Sequence, residues 1–219
     1  MFEDIDSNST EVLNEILKAR RTVRAFSGTP LDEKDVELIV KAGLIAPFAS
    51  IPAKGKNDFR RIFILTSGSE TMKRMISIVN HGTSTFVAEM SGRVDVQSAA
   101  GKINGKSGIT QLLGNAPYLI IAAERKGFPP TYLADQSISL SYCMYNMWLK
   151  AVSLKIGFRL ITLFVHGKMG NNEEFCQLLG LPCREFAVDA CAIGYPAENF
   201  VPPKVNYPDY ETNVKWLCK

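Results

Sequence analysis

Glu15-Ile16-Leu17-Lys18-Ala19-Arg20-Arg21-Thr22-Val23-Arg24-Ala25-Phe26 decides how the chain is read. Upstream of its bases lie five acids, at positions 3, 4, 6, 11 and 15, with no base among them. Val12, Leu13, Ile16 and Leu17 recur at helical spacing, so a helix is expected over about Ser9–Lys18, with acids in its early turns and bases at its end. That helix delivers Arg20, Arg21 and Arg24, with the hydroxyl of Thr22, to a turn. Guanidinium forks bind phosphate through paired donors, and three of them neutralise a phosphate dianion. The plainer reading is a solvated charge cluster that complements the helix C-terminus. The motif alone leaves both open.

Working outward, Asp32 is placed to cap a second helix, with Val36, Ile39, Val40 and Leu44 on one face and its end before Pro47. A loop is expected from Phe48 to Asp58, a strand over Phe59–Thr66 and a helix over Ser69–Val79. Residues 80–115 read as a variable, partly helical excursion. Ala116–Ala123 is a continuous apolar strand of the fully buried kind. From Asp135 to Lys155 apolar side chains point almost all round, so this helix must be covered by the domain or by a second subunit. A short helix near Asn172–Leu179, a buried strand over Ala187–Tyr195 and an extended Pro-rich arm over 196–219 complete the pattern. Helices and strands do not alternate strictly, which favours an α+β fold with helices around one sheet, and a single domain over 1–219 is the simplest organisation.

Composition narrows the chemistry. The 219 residues hold 25 Lys+Arg against 22 Asp+Glu, a net charge of +3 that argues against a dedicated nucleic-acid binder. The longest uncharged run, Ser107–Ala123, is broken by Gly108, Gln111, Gly114, Asn115 and Pro117, so no membrane span is expected. The acidic N-terminus lacks the order of a secretory signal, and a cytoplasmic protein is the default expectation. Five scattered cysteines form no C-x-x-C, and the two histidines, His81 and His166, stand beside no second metal-type ligand. Redox chemistry here would need an organic cofactor. Phe48, Phe86, Tyr132, Tyr142, Phe158 and Phe164 suit either the wall of a flat pocket or the core.

The quoted stretch, followed by Pro30, the Asp32–Leu44 helix and Ala46-Pro47, resembles the opening of the nitroreductase family of flavoenzymes, R-R-[ST]-x-R-x-[FY], a helix, then A-P. Further matches follow in order: Asn115-Ala116-Pro117, Asn146-Met147-Trp148-Leu149-Lys150-Ala151 running to Gly157, Leu178-Leu179-Gly180-Leu181-Pro182 and Ile193-Gly194-Tyr195-Pro196. The resemblance implies a nitroreductase-like α+β fold, a mixed or antiparallel sheet surrounded by helices in an intertwined homodimer with the C-terminal arm reaching across. It further implies FMN at the subunit interface. Carried over by position, Arg20, Arg21, Thr22, Arg24 and Lys204 would hold the FMN phosphate and ribityl chain. The family's basic K-x-R pair is here Lys204-Val205-Asn206, one cation short. After Pro47 the family's S-x-x-N-x-Q-P-W is absent, leaving Ser50 or Asn57 to substitute and Lys54 or Lys56 to meet the flavin's N1–O2 edge. Asn146 stands in the family's Gln-Asn position; a core or dimer hydrogen bond is its alternative use.

The implied reaction is a ping-pong transfer of reducing equivalents from NAD(P)H, a transient reductant, through FMN to a small organic acceptor such as a nitroaromatic or quinone. Two alternatives stand beside it. One is a specialised member, dehalogenase-like or dehydrogenase-like, and the other a catalytically altered protein of this fold that binds FMN or another planar ligand.

Overall fold

A computed structural model of the chain describes residues 7–48, 59–82, 108–126 and 133–217. Four strands form one antiparallel sheet: β1 (Arg60–Thr66), β2 (Tyr118–Arg125), β3 (Gly157–Leu160) and β4 (Phe186–Gly194), in the spatial order β1-β2-β4-β3. The central strands β2 and β4 are buried on both faces, which is why they read as continuous apolar runs rather than alternating ones. Leu119, Ile121 and Ala123 of β2 and Val188, Ala190 and Ala192 of β4 point to one side. Ile120, Ala122, Cys191 and Ile193 point to the other.

The first side is covered by α3 (Glu70–Gly82), α4 (Gly108–Leu113) and α7 (Glu173–Leu179), through Met75, Val79, Ile109, Phe175 and Cys176. Asn172 caps α7 by accepting from the Phe175 N–H at 2.9 Å, and Gly180 closes it at φ 62°. The second side carries α2 (Glu33–Leu44) and the long α5 (Leu133–Ser153). The expected Asp32 cap is present, accepting from the Lys34 N–H at 2.9 Å. α2 sits directly on α5, because a Cβ on Gly43 would lie 2.8 Å from Met147 and 3.1 Å from the Cys143 sulfur.

α5 settles the question posed by its all-round apolar pattern. Leu140, Cys143, Met144, Met147 and Ala151 enter the core, whereas Ile138, Tyr142 and Tyr145 remain 41%, 46% and 42% exposed on this chain. The domain covers one face and leaves another bare. α1 (Ser7–Ala19) begins earlier than its acids suggested, so Glu11 and Glu15 occupy middle turns and only Lys18 complements the dipole. Val12, Leu13 and Leu17 of α1 are likewise exposed.

Four further elements were not anticipated. They are β3, α6 (Leu163–His166), a 3-10 turn over Met169–Asn171 and α8 (Tyr210–Asn213), the last being one helical turn in an arm otherwise without regular structure over 198–209. Most of the expected excursion, residues 83–107, and Ser50, Lys54, Lys56, Asn57, Phe86 and Tyr132 lie outside the described residues.

Candidate functional site

Beyond α1 the chain runs extended from Arg20 to Ser27 and is stitched to three neighbours. Val23 N–H donates to the Phe158 carbonyl at 3.1 Å, Phe26 N–H to Gly114 at 2.8 Å and Ser27 N–H to Tyr195 at 2.9 Å. Thr22 forms a parallel bridge with Phe158, so the arginine segment lies along β3. Val23 and Phe26 are buried. In an extended chain alternate side chains share a side, so Thr22 and Arg24 turn away from the core that takes Val23. Gly114 permits the fit: it holds φ 58°, and a Cβ there would lie 2.2 Å from the Arg24 carbonyl oxygen.

The three arginines do different things. The Arg20 guanidinium lies 4.4 Å from the centre of the Trp148 ring, which stacks on Phe158 at 5.2 Å and donates from its indole nitrogen to the Arg21 carbonyl at 3.3 Å. That stack fixes Arg20 without neutralising it. Arg21 turns back to donate to the Lys18 carbonyl at 2.5 Å and its neighbour's at 2.7 Å, so its fork closes the α1 C-terminus, the plainer of the two readings. Arg24 is exposed.

Beside Arg24 the structure brings a residue the sequence reading did not single out, Arg159 of β3. Burial and the neighbouring Arg24 charge both lower its pKa, in that order. Its one described hydrogen bond is to the Gln111 carbonyl at 3.5 Å, and among the described residues no carboxylate pairs with either guanidinium. A bound oxyanion would relieve the repulsion between two such like charges. A phosphate monoester fits that donor set. The arm approaches from outside: Tyr207 donates to the Lys18 carbonyl at 3.1 Å, and exposed Lys204 is three residues away, within about 10 Å of extended chain.

Asn146 donates to the Ala42 carbonyl at 3.2 Å, the interhelical hydrogen bond that pins α5 to α2. Phe158 and Phe164 are fully buried, Tyr142 is exposed on α5, and Phe48 packs on Phe59 with centroids 4.5 Å apart. The chain up to Pro47 is held from below. Arg60 of β1 donates to the carbonyls of Gly43 at 2.7 Å, Ala46 at 2.8 Å and Pro47 at 3.3 Å, satisfying the open end of α2, and pairs with buried Glu124 of β2. Burial raises the Glu124 pKa against the opposing pull of Arg60, and its second oxygen, Oε2, has no hydrogen-bond partner.

Among the described residues no group of three His, Cys, Asp or Glu is arranged to hold a metal, and no helix is long and apolar enough to cross a membrane. Cys143, Cys176 and Cys191 are buried free thiols whose pKa values burial pushes upward, to about 12 for Cys143 and about 11 for Cys176. They are poor nucleophiles.

The fold is that of a helix-flanked antiparallel-sheet protein, with an arginine-bearing extended segment laid along β3. Residues 17–195 match the model of the nitroreductase family, a span that begins within the opening stretch and ends after β4. The chain belongs to the nitroreductase family. Among solved structures it is similar to a nitroreductase with bound FMN from Bacteroides fragilis, at 20% identity and TM-score 0.67 over 93% of this chain and 98% of that one. A BluB-like flavoprotein from Clostridium difficile has 18% identity and TM-score 0.67, with 94% and 98% covered. Iodotyrosine deiodinase bound to FMN and 3-iodo-L-tyrosine has 19% identity and TM-score 0.63, with 93% and 98% covered. At such identities the fold is shared and the sequence is divergent.

Proposed function

We propose that the protein is an FMN-dependent oxidoreductase in which Arg20, Thr22 and Arg24 hold the cofactor phosphate, with Arg159 beside them and Lys204 supplied by the arm. The observation that carries this reading is the Arg24–Arg159 pair, two guanidiniums close enough for one charge to lower the other's pKa and with no carboxylate partner among the described residues, Arg24 lying on the segment that opens the family match. FMN bound in solved relatives of this fold supports the same reading. Bound flavin would supply hydride and single-electron transfer that no side chain of this chain provides.

The chain's own residues bind and orient. The Trp148–Phe158 stack holds Arg20 in place, Arg21 fixes the turn that presents its neighbours, and Arg24 with Arg159 meets the doubly charged end of the cofactor. Arg60 secures Pro47 at the end of α2. NAD(P)H serves as transient reductant and a small organic molecule as acceptor, in a cytoplasmic homodimer. The deiodinase and the BluB-like flavoprotein share the fold, so the fold does not select the acceptor.

Titration of the flavin-free protein with FMN, followed by the quenching of flavin fluorescence, tests this. Charge-assisted hydrogen bonds contribute about 1.5–3 kcal/mol, so Arg24→Ala or Arg159→Ala is expected to weaken FMN about 10- to 100-fold while riboflavin, which lacks the phosphate, is bound equally by parent and variants. Unchanged FMN affinity in both variants overturns the phosphate assignment. Anaerobic NADH and NADPH additions then report whether the bound flavin is bleached, the outcome a nicotinamide-driven reductase requires.

A further inference from the structure

β3 stops pairing with β4 at Leu160, opposite Cys191, and the chain turns off through Thr162 into α6. One edge of Phe186–Asp189 is therefore left without a strand partner among the described residues. Between that edge, the first half of α5 and the α6 turn lies a cavity of about 340 Å³, within the range of ~300–1,000 Å³ in which small-molecule sites fall. Leu140, Leu160 and Phe164 give it apolar walls, while Lys126 and Lys168 line it with cationic side chains. Lys126 is held there by donating to Asn171 Oδ1 at 3.0 Å.

Into the same cavity β4 brings Asp189, 7% exposed and the one charged residue of its strand. Its Oδ1 accepts from the Ala190 N–H at 2.8 Å, and among the described residues no cation pairs with it. An acid in such a place is tolerated only if something other than a salt bridge compensates it. We propose that this cavity binds a small organic anion with a flat apolar body, and that Asp189, carrying a proton, donates a hydrogen bond to the anionic group of that ligand. The apolar walls take the body of the ligand, and Lys126 and Lys168 offset its charge.

Burial raises the Asp189 pKa to about 7, against a smaller opposing effect of the Ala190 N–H. The other groups facing this region are Cys191 on its own strand, Cys143 on α5, Glu124 on β2 paired with Arg60 of β1, and His166, Lys168 and Lys126 around the cavity. The two thiols stay protonated and Glu124 has its own partner, so Asp189 is the acid whose titration reaches the ligand. As the acceptor's place in the proposed reaction this inference rests on that reading; as a binding site it does not.

Benzoate, benzamide and benzylammonium share one shape and differ in charge, and calorimetric titration of the protein with each, flavin-free and FMN-loaded, at pH 6 and pH 8, tests the proposal. In a His166→Gln background, which leaves no imidazole at the cavity, benzoate is expected to bind best, about tenfold more tightly at pH 6 than at pH 8, and with Asp189→Asn added to bind with no pH dependence. Ser141→Trp, which fills the cavity from α5, is expected to abolish benzoate binding and leave FMN affinity intact, a readout that stands even where the Asp189 variant does not fold. Preference for benzylammonium, absence of benzoate binding, or equal benzoate affinity at both pH values overturns the proposal. Displacement of benzoate by FMN assigns the cavity to the cofactor and overturns it as well. Benzoate binding without FMN binding keeps this site and sinks the flavin reading, so the two fail separately.

Discussion

At the scale of single residues, Asp189 makes the folded state sensitive to pH. Burial holds a proton on its native carboxyl up to about 7, whereas in the unfolded chain it releases it near the ordinary aspartate value of 3.8. Between those values the native state binds more protons than the unfolded one, so stability is full below the lower value and falls as pH rises toward the upper. At 1.36 kcal/mol per pH unit the loss is on the order of 4 kcal/mol. Asp189→Asn keeps the acceptor for the Ala190 N–H and removes the titration. Urea melts at pH 5 and pH 8 are expected to show parent stability falling between them and the variant holding level; a variant that falls as steeply as the parent overturns the assignment. The sequence carried a signal for this residue, a lone acid within an otherwise uncharged strand of Phe186–Gly194, though a buried-strand reading passes over it. Arg21 gave no such signal. Spacing places three arginines in one turn, yet the direction of a long side chain is decided by which carbonyls lie open, and those of Lys18 and Arg20 capture this one.

At the scale of elements, the long apolar runs and capped helices were legible because each carries its own burial or cap. β2 and β4 are sealed on both faces, Asp32 caps α2 where expected, α7 lies where a short helix was expected, and α5 shows its length through a pattern few loops imitate. β3 was not legible. It has four residues, Gly157–Leu160, and follows Lys155, which takes φ 59° at the helix end where glycine would announce a stop. Missing β3 meant missing Arg159, whose alternation with buried Phe158 turns it outward, and missing the sheet edge that opens the cavity. Arg60 shows the converse, a base at a strand's start whose partner lies across the sheet and whose other donors close a helix. Breaking a buried pair from one side costs about 3–5 kcal/mol, so Arg60→Met is expected to lower unfolding free energy by that amount. Adding Glu124→Leu removes the stranded carboxylate and is expected to recover part of it. The carbonyls of Gly43 and Ala46 still lack their donor, so recovery stays incomplete. Denaturant melts of both variants decide this, and full recovery in the double variant would show that the helix end needs no cap from Arg60.

At the scale of the whole molecule, what the sequence could say of α5 was that something covers it, and the chain itself covers only half. Ile138, Tyr142 and Tyr145 are exposed together on α5, Val12, Leu13 and Leu17 on α1, which packs against it, and Tyr210, Trp216 and Leu217 on the arm. Magnitude decides which of these an interface needs. Aromatic side chains bury about 150–250 Å² each, so Tyr142 and Tyr145, less than half exposed, together with Ile138 offer on the order of 250 Å², well short of the ~800 Å² per partner of a standard interface. In the proposed homodimer a contact on α5 alone would be weak, and α1 and the arm would share it. In a two-fold interface each substitution enters twice, so a new carboxylate meets both the partner's apolar surface and its own copy. Tyr142→Glu is therefore expected to shift the dimer to concentration-dependent dissociation in sedimentation velocity, and Tyr142→Glu combined with Leu13→Glu to leave a folded monomer at all micromolar concentrations. If the double variant sediments as the parent does, the bare face of α5 is not where two copies meet. If it is monomeric and its FMN affinity also falls, the second copy contributes to the cofactor site, since neither residue lies in the arginine segment.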